Sequence, residues 1–205
     1  MKTILRLSQV LAAAAAATLL AACNPATSAG PVTAAKTAAA EIPQSLPISV
    51  EAVNQHARGF TTGAVMSTTH AYVFFDPQCP HCGHLWQSSK ALHPKMKFTW
   101  IPVTLLNKAS RTQAAAMLKA PDGAQAMDQH EALLAQKRGG ISASSDVDPE
   151  MEAALAKNTQ LLRSFGADSV PFIVAKHAQT GAVVSFAGAL PPEQIAQKLG
   201  LEQTP

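Results

Sequence analysis

The sequence predicts an α/β domain: a central buried strand, a helix directly behind it, and a block of helices inserted before a closing hairpin. Three observations predict it. Tyr72 to Phe75 is wholly apolar and aromatic, the pattern of a strand covered on both faces, and from Pro80 onward the apolar period becomes helical. A β-prone alternation from Lys97 to Leu105 then gives way to helical signals across residues 107–166. Last come two β-prone runs around a turn, Val170 to Ala175 and Val183 to Ala187, and one more amphipathic helix.

In chain order, Met1 to Cys23 has a short basic start, an apolar stretch from Leu7 to Leu20, and then small residues. That is the pattern of a secretory signal, too short for a membrane span. Its end, Leu20-Ala21-Ala22-Cys23, resembles the bacterial lipobox, which implies removal of residues 1–22 and acylation of Cys23 as the mature N-terminus. Ordinary cleavage among these alanines is the alternative. Cysteine arithmetic favours acylation, because with Cys23 lipidated the three cysteines leave one pair and no stray thiol. Asn24 follows where an Asp would usually mean inner-membrane retention, so the resemblance implies the periplasmic face of the outer membrane.

Residues 23–45 are rich in Ala, Thr, Ser and Pro and read as a flexible tether; residues 46–205 then form the domain. Ser49 to Ala57 reads as a short helix with Val50 and Val53 inward, and Thr61 to Ala64 as an irregular lead into the central strand. In the following helix Cys82, Leu85, Trp86, Ser89 and Leu92 share one face, and Pro94 stops the run. In the second strand Phe98 and Trp100 point one way and Ile101 and Val103 the other. Pro102 predicts an edge position or an N–H direction without a partner.

Ser110 to Gln113 has the spacing of a capping box opening a helix to Lys119, and a second helix, Ala124 to Lys137, ends at Gly139-Gly140. Asp148-Pro149-Glu150 opens a third, with a break expected near Asn158 and an end at Gly166. Pro191-Pro192-Glu193 opens the last helix, with Ile195, Ala196 and Leu199 inward.

The chemistry is concentrated in Cys79-Pro80-His81-Cys82, placed where the central strand meets its helix. There the unpaired N–H groups and dipole of the helix favour a thiolate on Cys79. Pro80 suits the first helical position, because it lacks an N–H that would be orphaned there. Cys82, one turn on, can attack a mixed disulfide formed at Cys79, and His81 can stabilise the Cys79 sulfur by charge or a hydrogen bond. Half a zinc site would need a second cysteine pair, haem attachment would need His where Gly83 stands, and so small a loop makes a poor structural disulfide.

The segment Phe74 to Cys82 resembles the active site of thioredoxin-fold disulfide oxidoreductases, most of all the bacterial periplasmic Dsb proteins. The resemblance implies a thioredoxin fold with an inserted helical subdomain, about 107–166, and makes Pro171 the cis-proline that faces the dithiol. Val170 would then offer its backbone to an extended substrate segment. The insertion, the run Gly166 to Phe172 and the ending Phe186 to Gln194 are most similar to the catalytic domain of the DsbG and DsbC isomerase group. Two departures stand out. The space before Tyr72 is too short for that group's dimerisation domain, so a monomer is expected, and Pro80-His81 with Val170 resemble the oxidase DsbA instead.

The resemblance implies a periplasmic, lipid-anchored thiol:disulfide oxidoreductase acting on exported proteins and recycled by a membrane redox partner. Net oxidation is expected; isomerisation or reduction of oxidised cysteines is the alternative. No cofactor or metal is expected beyond the dithiol. A different class of reading, a copper- or zinc-binding lipoprotein, would use His70, His81 and His84 on one surface. Asp76 reads either as a proton acceptor or as a cap for the turn, and Trp86 and Trp100 as core. Removing Lys2 and Arg6 from the formal +3 leaves +1, which gives no electrostatic case for nucleic acid.

Overall fold

The computed structural model describes residues 41–201, so the signal, Cys23 and nearly all of the tether lie outside the described residues. In chain order the elements are α1 (Val50–His56), β1 (Phe60–Gly63), β2 (His70–Phe75), α2 (Pro80–Ser89) with a short 3-10 turn after it, and β3 (Lys97–Pro102). Three helices follow, α3 (Lys108–Lys119), α4 (Gly123–Ala135) and α5 (Pro149–Ser164), and then β4 (Phe172–Lys176), β5 (Val183–Ala187) and α6 (Pro192–Lys198). The strands form one sheet in the order β1-β3-β2-β4-β5. Only β2 and β3 are parallel. Among the described residues no helix is long and apolar enough to cross a membrane.

Strand alternation divides the interior into two cores. Ala71, Val73 and Phe75 of β2 join Phe98 and Trp100 under α2, α4 and α6, with Leu85, Trp86, Met127 and Ile195 closing over them. Tyr72 and Phe74 join Ile101 and Val103 on the other face, under α1 and α5, with Val53, Leu161 and Leu162. Both faces of β2 are thus covered, which is why its sequence shows an unbroken apolar run.

Several local expectations are corrected by long-range partners. The lead at 61–64 is a true strand, β1, paired antiparallel with β3 from Phe60 opposite Trp100 to Gly63 opposite Lys97. Four residues are too few to display an alternation. β3 is therefore not at the edge. Pro102 is tolerated because the Val103 amide donates to Phe75 O, so the position of Pro102's missing N–H faces the other side, where β1 has already ended.

The predicted break at Asn158 does not occur, and α5 runs unbroken. Asn158 is fully buried and uses its side chain to finish the sheet instead: its amide donates to Arg58 O and Pro102 O, and its oxygen accepts from the Arg58 amide. The capping box of α3 belongs to Asn107 and Ser110, one turn earlier than Ser110 and Gln113. At the start of the domain, Ile42 is buried, and α5 holds the chain through Gln160 to Ile42 O and Ser164 to Pro43 O. Residues 42 and 43, assigned to the tether by composition, are packed on the fold.

Candidate active site

Cys79 is the N-cap of α2 and Pro80 its first residue. The strand ends at Phe75, and the turn from Asp76 closes with the Cys79 amide donating to Asp76 O at 3.0 Å. Cys79 O then accepts from the amides of Cys82 and Gly83 at 3.0 and 3.2 Å, the opening bonds of the helix. Both cysteines are reduced, and both are buried. They are buried unequally in kind: Cys82 lies sealed in the core beside Phe75 and Leu85, whereas Cys79 borders a groove.

That difference separates their chemistry. The Cys82 thiol donates to the Cys79 sulfur and draws the Cys79 pKa from 9.0 down to about 6, against the opposing effect of burial. The backbone amides of Cys82 and His81 and the charge of His81 act in the same direction. Burial pushes the Cys82 thiol far up, and its bond to Cys79 adds to the rise. One sulfur is thus poised as a thiolate at neutral pH, and its neighbour is held as a proton-bearing thiol.

The pH dependence follows from the direction of the Cys79 shift. A pKa that falls on folding gives stability that is fully present above the unfolded value and is lost as pH drops through the folded value. Burial raises the Glu131 carboxyl to about 7, which opposes this effect at lower pH. Between about pH 7 and 9 the reduced protein should therefore gain stability over the oxidised one by about 1.4 kcal/mol per unit. Denaturant titration of the two redox forms checks this; parallel curves would refute the low Cys79 pKa.

The groove beside Cys79 has a volume of about 410 Å³ and is walled by Leu105, Leu106, Arg163, Asp168 and Val170. The Val170–Pro171 peptide bond is cis, and the Cys79 thiol donates to Val170 O at 3.5 Å. Leu106 is about half exposed there, so the groove offers apolar surface as well as charge.

Searches with family models return no match. Among curated proteins, the chain is 30% identical over 131 residues to the thiol:disulfide interchange protein DsbG of Pseudomonas aeruginosa, covering 63% of this chain and 50% of the relative. It is also 30% identical over 104 residues to DsbG of Escherichia coli K12, covering 50% of this chain and 41% of that one. The chain thus spans about half the length of the curated relatives it matches. Among solved structures, Pseudomonas aeruginosa DsbA2 superposes with a TM-score of 0.57 at 19% identity, covering 70% of this chain and 93% of the other. A periplasmic thioredoxin-like protein of Salmonella enterica serovar Typhimurium gives 0.54 at 18%, covering 69% and 87%. The chain has a thioredoxin-like fold similar to that of these Dsb proteins.

Within this Dsb-like fold the sequence motifs Cys79, Pro80, His81, Cys82, Val170 and Pro171 come together at one end of the sheet. The three histidines of the metal reading do not. His81 and His84 are exposed on α2, with ring centroids 6.1 Å apart, whereas His70 packs at a tilt against Tyr72 over the opposite face of the sheet and bonds Thr99. Among the described residues, no three His, Cys, Asp or Glu side chains stand where they could hold a metal ion.

Asp76 acts as a cap. Its carboxyl oxygens accept from the Gln78, Leu105 and Leu106 amides and from the Ser110 hydroxyl, tying the dithiol turn to the groove wall and to α3. Trp86 and Trp100 are core, at 4.9 Å edge to face, with the Trp86 indole donating to Asp128. Sequence reasoning missed the contribution of the helical insertion. His130 accepts the Ile141 amide at Nδ1, so its Nε2 carries the hydrogen and donates to Pro77 O at 2.7 Å. Gln113 receives Gln78 at 2.7 Å and itself donates to Gly139 O and Ile141 O. A buried histidine and a buried glutamine on helices otherwise rich in alanine were the available signal.

Proposed function

We propose that the chain is a thiol:disulfide oxidoreductase that exchanges disulfides with exported proteins through Cys79 and Cys82. The observation that carries the reading is the asymmetry of the pair, with Cys79 at a helix N-terminus and a groove, and Cys82 sealed behind it. A substrate thiolate attacks the Cys79 sulfur of the disulfide, and Cys82 leaves and takes a proton. A second substrate thiolate then attacks the substrate sulfur of the mixed disulfide, releasing Cys79 as a thiolate. Two electrons pass from substrate to protein. The low Cys79 pKa favours that last departure and stabilises the reduced form, which makes the disulfide an oxidant. Net oxidation is therefore the proposed direction.

Val170 supplies backbone for an extended substrate segment lying in the groove, beside Pro171. Pro80 and His81 set the environment of Cys79. We place the protein in the periplasm as a monomer, held by lipid on Cys23 at the inner face of the outer membrane, with a membrane redox partner returning it to the disulfide form. Isomerisation or reduction is the second reading, and the identity to DsbG favours it.

The deciding experiment is the resting state of Cys79 and Cys82 in cells, read by acid quenching, thiol alkylation and gel shift. A mostly oxidised pair is expected. A mostly reduced pair would replace oxidation with the second reading.

A further inference from the structure

Glu131, on α4, takes no part in the exchange as described above, yet it stands against the dithiol helix. Its Oε1 is buried and has no hydrogen-bond partner among the described residues. Its Oε2 lies so close to Gly83 that a Cβ at that position would come within 2.2 Å of it. Gly83 is the residue after Cys82, and its amide donates to Cys79 O. The absence of a side chain at Gly83 is therefore what lets the carboxyl reach the first turn of α2, where the Cys79 thiolate forms.

The groups around it leave it little compensation. Cys79 is the titratable group whose charge opposes that of Glu131, and Lys90 is the cation that favours it. But Lys90 is already engaged by Asp128 at 2.5 Å. On α4 itself, His130 turns to Pro77 O, and on α2 His81 and His84 are exposed while Cys82 keeps its proton. A half-buried carboxylate and a buried thiolate so placed repel each other, so up to neutral pH one of the two is kept neutral.

We propose that Glu131 is a positioning residue for the dithiol: up to neutral pH its carboxyl and the Cys79 sulfur hold one negative charge between them, so in that range Glu131 is protonated when Cys79 is a thiolate and ionised when Cys79 is in a disulfide. The inference rests on the exchange reading above. Proton and electron counts balance. When a partner disulfide reoxidises the pair, both electrons go to that disulfide, and its two sulfurs take up two protons, one from Cys82 and one from Glu131. The net charge of the site is the same before and after, so no charge is left stranded in the core. The upward shift of the Glu131 carboxyl agrees with this geometry.

The test is titration of the reduced protein by ultraviolet thiolate absorbance, for wild type, Glu131→Gln and Gly83→Ala, with carbon-13 NMR of the Glu131 carboxyl in both redox forms of the wild type. The thiolate of the wild type should appear in two coupled steps. In Glu131→Gln a single step is expected, its midpoint lower by on the order of half a unit. Gly83→Ala, which pushes the carboxyl away, should move the midpoint the same way. In the wild type, Glu131 should titrate at lower pH when the pair is oxidised. A low Cys79 pKa that is identical in Glu131→Gln, with a Glu131 titration indifferent to redox state, overturns the Glu131 role and leaves the exchange reading standing. A wild-type Cys79 that titrates in the ordinary thiol range overturns both.

Discussion

Cys79→Ser should reduce disulfide exchange to the uncatalysed background, whereas Cys82→Ser should leave a protein that captures its substrates. The serine hydroxyl at position 79 is not ionised at neutral pH, so it neither attacks a disulfide nor forms one. In the second variant Cys79 still reacts, but the group that would resolve the mixed disulfide is gone. Complexes should accumulate in cells and disappear on reduction, and a non-reducing gel probed for the protein reads them directly. A Cys82→Ser variant that forms no such complexes, while remaining folded, would refute the division of labour between the two sulfurs. Cys82→Ala adds a second readout. Because the Cys82 thiol is the largest influence lowering the Cys79 pKa, its loss should return that value from about 6 toward 9.0.

Asp76→Ala should be the most destabilising single change at the site. The carboxylate is fully buried and accepts four hydrogen bonds, at 2.9 Å from the Gln78 amide, 2.7 and 3.1 Å from Leu105 and Leu106, and 2.6 Å from Ser110. Alanine leaves the buried Ser110 hydroxyl and three part-buried amides without their acceptor and opens a cavity, a loss of about 2–4 kcal/mol. Ser110→Ala removes one donor and keeps the acceptor, and should cost only about 1 kcal/mol. Chemical denaturation of the oxidised forms separates the two. A loss below about 1 kcal/mol in Asp76→Ala would show that water replaces the carboxylate and that the turn does not depend on it. Because the same residue holds the Leu105 and Leu106 amides, the variant should also loosen the groove wall and weaken exchange in the fraction that folds.

What the chain revealed by itself was local. The change of period at Pro80, the two cysteines one turn apart, the proline entering β4 and the Asp148-Pro149-Glu150 start of α5 all act over a few residues, so they can be read without knowing any neighbour. They sufficed for the order of elements apart from β1, the faces of β3 and the location of the dithiol. They placed Cys79 at a helix N-terminus, whereas the largest influence lowering its pKa, the Cys82 thiol, emerged only from the structure.

Tertiary structure decided the rest, wherever a residue's role depends on a partner distant in sequence. The segment 61–64 became a strand because β3 lay open beside it, and Pro102 was allowed inside the sheet because β1 stops short of it. Asn158, a helix-breaking signal in isolation, continues α5 because its side chain is consumed by Arg58 and Pro102. The site's outer ring, Gln113, His130 and Glu131, comes from the helical insertion, and packing against the dithiol turn gives these residues meaning. A buried polar group must find its complement somewhere, and sequence period says that it is buried without saying against what.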